Sequence, residues 1–192
     1  MEQTPNTLKG PRCAEMLFND KRLSFLWLIL RVYVGYEWIT AGWAKIVSGV
    51  WIGANAGGAL QGFLNGSLAK TAGAHPDVSG WYAYFISHVA LPHAFFFSHL
   101  VAIGEVLVGA ALILGVFTGV AAFFGAFMNL NFMLAGTVST NPVLFVIEVF
   151  LVLAWRIAGY IGLDKWVLPM LGTPWQHGKC CKGAAEQAPT QQ

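Results

Sequence analysis

The sequence predicts an all-α membrane protein: an antiparallel four-helix transmembrane bundle with amphipathic surface helices in its first, outer loop. Three observations carry that reading. Of 192 residues, 56% are hydrophobic and 10% charged, against about 25% charged in a soluble domain. Ser98 to Val116 is an almost unbroken apolar run, long enough at about 1.5 Å per residue to cross a hydrocarbon core of about 30 Å. Three further apolar runs accompany it, separated by polar or Gly- and Pro-bearing connections. A net charge of +2, with no massed basic arm, excludes a nucleic-acid partner. Cys13, Cys180 and Cys181 all lie in the terminal tails, so no disulfide framework runs through the body of the chain.

Taken in order, residues 1–22 read as a flexible cytoplasmic tail with no helical period, ending in Lys21-Arg22. That basic pair leads straight into a span too long for a signal-peptide core. The four-helix domain covers 23–170. Its first span, about 24–47, carries Arg31 and Glu37, and Arg31, Gly35, Trp38, Gly42 and Lys45 repeat along one helical face. Gly35 and Gly42 on that face let a partner helix approach closely. The outer loop, 48–93, is too polar to span and too aromatic for a solvated linker. Leu60, Phe63, Leu64 and Leu68 fit a short amphipathic helix, and Trp51, Trp81, Tyr82 and Tyr84 suit the headgroup level, together forming a lid over the bundle's outer mouth.

The second span, about 94–116, places Ser98, Ala102, Glu105, Gly109 and Leu112 on one stripe, so Glu105 faces protein rather than lipid. A connection as short as Phe117-Thr118-Gly119 forces a hairpin, with Gly115 ending one helix and Thr118 capping the next. The third span, about 120–138, carries Asn129 and Asn131 on different faces. Asn141-Pro142 opens the fourth, about 142–162, which carries Glu148 and Arg156 and aligns Glu148, Val152, Trp155 and Gly159. Residues 171–192 read as a disordered cytoplasmic tail. Lys9, Arg12, Lys21 and Arg22 before the first span, and Lys165, Lys179 and Lys182 after the last, place both termini in the cytoplasm of a multi-pass plasma-membrane protein.

Each uncompensated charge inside the bilayer costs about 2.5–3.5 kcal/mol on insertion scales, so these groups must be paired, protonated or wet. Two readings stay open. In one, the charges form a network that fixes helix register and carries no chemistry. In the other, they line a polar pocket where a carboxylate exchanges protons with a bound redox headgroup. Glu105 and Arg31 are expected to meet inside the bundle, on the two small-residue faces, with Arg156 as the competing partner. His75, His88, His93 and His99 match no metal-ligand spacing, and no span carries a central His for haem, so neither a metal nor a haem is predicted.

Gly104-Glu105 followed by Gly109, Leu112, Gly115, Thr118 and Ala121-Ala122 resembles the G-E-x-x-x-G-x-x-L-x-x-G-x-x-T-x-x-A-A pattern of the DoxX/DoxD membrane proteins. Arg31 with Gly35 and Gly42-Trp43-Ala44-Lys45 is similar to that family's first span, and Gly159 to Asp164 with Lys165-Trp166 to its close. Gly119 stands where the family often has Arg. Asn131 to Gly136 and Asn141-Pro142 resemble the branch related to the small DoxD subunit of thiosulfate:quinone oxidoreductase.

The resemblance implies a four-helix membrane bundle and, in some members, a quinone-linked sulfur oxidoreductase. On that footing Glu105 and Arg31 are the expected catalytic pair, with Glu37, Trp38, Asn131, Glu148, Trp155 and Arg156 around a diffusible quinone acceptor. The expected partners are the lipid bilayer, a second oxidoreductase subunit and further copies of the chain. The alternative is a non-catalytic scaffold or a lipid or cargo carrier of the same fold, as in the distant Surf-type cargo receptors, where the charges serve architecture alone.

Overall fold

The computed structural model describes residues 11–171, whose regular elements are all helices, with no strand among the described residues. Helix α1 covers Arg12–Asn19, α2 Ser24–Val47, α3 Gly58–Ala69 and α4 Gly80–Phe85, the last continuing as a π-helical turn over Ile86–Ala90. The remaining helices are α5 Ala94–Leu114, α6 Thr118–Leu134, α7 Asn141–Leu153, α8 Trp155–Ala158 and α9 Asp164–Met170. By length and composition α5 is apolar and long enough to cross a membrane, while α6 and α7 are apolar but shorter. Phe25, Ile29, Leu107, Phe124, Phe127 and Val146 are among many large apolar side chains on the outer faces of these helices. A surface of that kind suits hydrocarbon and not water.

The tightest pairing is α2 on α5, and glycine makes it. A Cβ at Gly109 would stand 2.6 Å from Ile39 N and 2.7 Å from Gly35 O, and one at Gly42 would stand 2.8 Å from Val106 N. Backbone meets backbone, as the small-residue stripes predict. The same contacts set the register: Gly35 lies against Gly109 and Ile113, and Gly42 against Glu105 and Val106, so the two helices run in opposite directions. Around this pair Trp27, Val34, Trp38, Leu112, Ala122, Leu151 and Ile157 form the main core. A second core of Leu60, Leu64, Val78, Tyr82, Ile86, Ala94 and Ala135 lies under the long connection.

Two expectations change here. Within the described part of the expected tail over 1–22, residues Arg12–Asn19 form a helix. Phe18 stacks near Trp27 and Phe150, and Trp27 Nε1 donates to Leu17 O at 3.1 Å, so the apolar side of this short amphipathic helix docks on the bundle. The continuous fourth helix over 142–162 breaks at Ala154 into α7 and the single turn α8. Beyond the break, Leu163 N bonds Leu114 O and Asp164 N bonds Gly115 O, so the segment is held by the α5–α6 turn. Cys180, Cys181 and residues 172–192 lie outside the described residues.

Tyr82 ties the long connection to α6, its hydroxyl lying 3.0 Å from Asn131 O and 3.1 Å from Asn131 Oδ1. Burial disfavours the phenolate and pushes the Tyr82 pKa up to about 12. Because the folded value is raised above an unfolded value of about 10, the contribution to stability is full below that pH and is lost as pH rises toward 12. Chemical denaturation from pH 8 to 11.5 should therefore show the wild type losing stability more steeply than Tyr82→Phe; parallel curves would contradict the burial of this phenol.

Candidate functional site

A cavity of about 310 Å³ opens where α2, α5, α6 and the start of α7 converge beneath the long connection. Lys45, Glu105, Glu37, Trp38, Trp51, Asn129 and Phe132 supply its chemistry. Lys45 comes from the last turn of α2, and its Nζ donates to Glu105 Oε1 at 2.9 Å and Oε2 at 2.7 Å. Glu105 is 1% exposed, and the Lys45 ammonium lies 5.2 Å from the centre of the Trp51 ring. The pair is therefore charge-assisted on one side and covered by an aromatic face on the other. An ammonium has three hydrogens, and Glu105 takes two of them.

Below the cavity a second polar centre is closed to solvent. Trp38 Nε1 donates to Glu148 Oε1 at 2.5 Å and Asn129 Nδ2 to Glu148 Oε2 at 2.7 Å. Glu148 and Asn129 are fully buried, and Gly125 leaves the carboxylate its room, because a Cβ there would run into Oε1. Asn129 Oδ1 is left without a partner among the described residues, in a side chain that lines the cavity. Glu37 also lines it, and no hydrogen bond or ion pair engages its carboxylate among the described residues.

Arg31 does not meet Glu105. The α2–α5 register puts Gly42 opposite Glu105, and Arg31 lies eleven residues earlier on α2, roughly 16 Å along the axis. Its Nη1 donates to Ala158 O at 3.3 Å and its Nη2 to Ile161 O at 2.8 Å, with Asp164 as the countercharge. Ala158 ends α8 and Ile161 lies in the turn after it, so Arg31 caps a helix of another segment and ties down the turn that follows. The expected competitor, Arg156, is exposed and stacks 5.6 Å from the Trp155 ring, away from both carboxylates.

Asp164 completes this lock. Its Oδ1 accepts from Phe117 N at 2.6 Å and its Oδ2 from Thr118 N at 2.9 Å, so a remote carboxylate caps α6 in place of the expected Thr118 hydroxyl. It also holds Phe117 at a φ of +48°, a conformation that costs a non-glycine residue about 1–3 kcal/mol. Gly115, at φ +67°, and Gly162 would each drive a Cβ into the Arg31 guanidinium, and Gly159 into the Asp164 carboxylate. At Gly119 a Cβ would stand 2.7 Å from Trp155 Cβ, which explains a glycine at that place.

Of the predicted residues, Glu37, Trp38 and Glu105 meet at the cavity, with Glu148 one hydrogen bond behind Trp38. Arg31 belongs to the lock, and Trp155 lines a separate apolar recess with Phe117, Val120 and Leu168. Asn131 binds Tyr82 and donates to Phe127 O at 2.8 Å, outside the polar cavity. The residues missed were Lys45, Trp51 and Asn129. Lys45 stood on the same stripe as Arg31, and only the register of α2 against α5 decides between them. No group of three or more His, Cys, Asp or Glu side chains could hold a metal ion among the described residues. His88, His93 and His99 each turn Nδ1 to the backbone carbonyl four residues earlier.

A double-mutant cycle separates the two pairings. Lys45→Met with Glu105→Gln should show a coupling of about 1–3 kcal/mol in thermal unfolding, whereas Arg31→Met with Glu105→Gln should add within about 0.5 kcal/mol. Coupling in the second cycle and additivity in the first would overturn the assignment.

A model of the DoxX family matches residues 26–138, from the start of α2 past the end of α6. No curated protein matches the chain, and no solved structure does. The matched region holds Glu37, Trp38, Lys45, Trp51, Glu105 and Asn129 and spans more than half of the 192 residues. The chain belongs to the DoxX family, whose proteins are membrane-associated.

Proposed function

We propose that this chain is the membrane subunit of a quinone-linked oxidoreductase, with the cavity between Lys45, Glu37 and Trp38 receiving the quinone headgroup. One observation carries the reading: a cavity in an apolar helical body is walled by a carboxylate with no partner among the described residues and an ammonium with a hydrogen to spare. Intramembrane polar groups that architecture does not consume are functional by default. The residues fit the ligand. A volume of about 310 Å³ is at the lower end of the about 300–1,000 Å³ range of small-molecule sites, and Trp38, Trp51 and Phe132 supply flat walls for a ring. Lys45 donates to a ring carbonyl of the headgroup. Glu37 is the group placed to pass a proton to the headgroup.

Reduction of a quinone to its quinol takes two electrons and two protons. In this proposal the electrons come from a reduced sulfur compound on a second subunit: two thiosulfate ions join through a new S–S bond as tetrathionate and release two electrons. The likeness of Asn131 to Gly136 and Asn141-Pro142 to the DoxD branch supports that donor. The basic residues flanking the body support four spans, α2, α5, α6 and α7 with its continuation, both termini cytoplasmic and residues 48–93 outside. A second reading, a non-catalytic scaffold or carrier, is favoured by the Arg31–Asp164 lock, in which Gly115, Thr118 and Gly159 to Asp164 serve architecture.

Protein purified with a co-expressed partner should reduce a soluble quinone analogue when thiosulfate is added. Glu37→Gln and Lys45→Met should each lower that rate at least about 100-fold, the lower range for loss of a proton-transferring group, with melting changed little in Glu37→Gln. A rate no higher than that of Glu37→Gln would count against the enzyme; unchanged function in both variants would favour the scaffold.

A further inference from the structure

Beside the polar cavity lies a larger apolar groove of about 440 Å³, walled by α3, the turn Gly80–Ala90, α5 and α6. Phe63 and Phe132 line both spaces. Their rings meet edge to face with centroids 6.3 Å apart, and Phe132 lies 6.4 Å from Trp38 on the polar side. The two spaces are thus neighbours that share these two aromatic side chains as walls.

The groove's chemistry is uniform. Its polar side chains, Tyr82 and Asn131, bond one another, so they offer a ligand nothing that is not already engaged. Leu100, Leu107, Phe124 and Phe127 line it and are also more than half exposed on the outer faces of α5 and α6. The groove therefore opens to the same apolar surroundings as the rest of the helical surface. A ligand reaching the polar cavity by this route comes from lipid and needs a hydrocarbon tail.

We infer that the groove holds the isoprenoid or alkyl tail of the quinone whose headgroup occupies the polar cavity, with Phe63 and Phe132 as the collar between them. This assignment rests on the headgroup reading above and adds selection for lipid-soluble, tailed quinones over their tail-free rings. Burying each methylene of a tail is favourable by about 0.8 kcal/mol, so a groove that is filled by protein forfeits affinity for tailed ligands alone.

Gly104 is the place to fill it. A Cβ there would meet only Met128 Sδ, at 3.6 Å, so a larger side chain projects into groove space without striking backbone. Equilibrium binding of a decyl-substituted benzoquinone and of its tail-free ring should be measured on the detergent-solubilised protein, for wild type, Gly104→Leu and Glu37→Gln. Comparing one ligand across variants cancels its partition into detergent. Gly104→Leu should weaken the decyl ligand at least about tenfold and leave the ring unchanged, whereas Glu37→Gln should weaken both. Equal loss of both ligands in Gly104→Leu, or loss of neither, would overturn the tail site while sparing the headgroup reading. Binding of neither ligand to wild type would overturn both. If Gly104→Leu fails to fold, Val101→Trp fills the same groove and is read in the same way.

Discussion

The close approach of α2 to α5 is the constraint from which the rest of the structure follows. Gly35, Gly42 and Gly109 bring two backbones together with no space for a Cβ, and that contact leaves one register. Charges carried on either helix must then find partners at their own level, because an unpaired charge in an apolar body is costly. At the level of Gly42 the partner of Glu105 is Lys45. At the level of Gly115 there is no acidic side chain on α5, and Arg31 takes two backbone carbonyls and the field of Asp164 instead.

That second solution shapes the far end of the chain. For the guanidinium to have carbonyls to bind, the last helix must stop early, and it breaks at Ala154 and turns at Ala158. Asp164 is then brought to the α5–α6 turn, where it caps α6 and holds Phe117. The glycines at 115, 159 and 162 are where they are because any side chain would displace Arg31 or Asp164. One buried arginine thus accounts for a helix break, a remote cap and three glycines. Of the glycine-bearing motif over 104–122, Gly115 and Thr118 belong to this lock, Gly109 to the α2–α5 contact and Glu105 to the cavity near the other end of α2.

Much of the fold was legible in the residues. The first expected span falls on α2, Ser24–Val47, and the amphipathic segment in the long connection on Gly58–Ala69, because their periodicity is local. The packing faces were legible for the same reason. The site was only partly so. Glu37, Trp38 and Glu105 were identifiable as charged or polar groups inside apolar helices, but Arg31 and Lys45 lie on one stripe of one helix, and periodicity does not say which of them stands opposite Glu105. Asn129 and Asn131 pose the same problem two residues apart: α6 turns Asn129 to Glu148 and Asn131 to Tyr82. Helix α1 was missed although its eight residues are amphipathic, because so short a period was hidden beside the Pro- and Gly-bearing residues before it; its apolar side stacks near Trp27 and Phe150.

The central claim is the register that pairs Lys45 with Glu105 and withdraws Arg31 from it. Solid-state NMR dipolar recoupling in lipid bilayers, between 15N-labelled Lys or Arg side chains and 13Cδ-labelled Glu, measures it directly, with Lys45→Arg and Glu105→Gln samples assigning the signals. With Lys45 Nζ at 2.7 Å from Glu105 Oε2, strong dephasing of the Lys45 ammonium that disappears in Glu105→Gln is the predicted result. The Arg31 guanidinium, roughly 16 Å along α2 from that level, should show none from Glu105. Dephasing of Arg31 by Glu105, with Lys45 unaffected, would contradict the account.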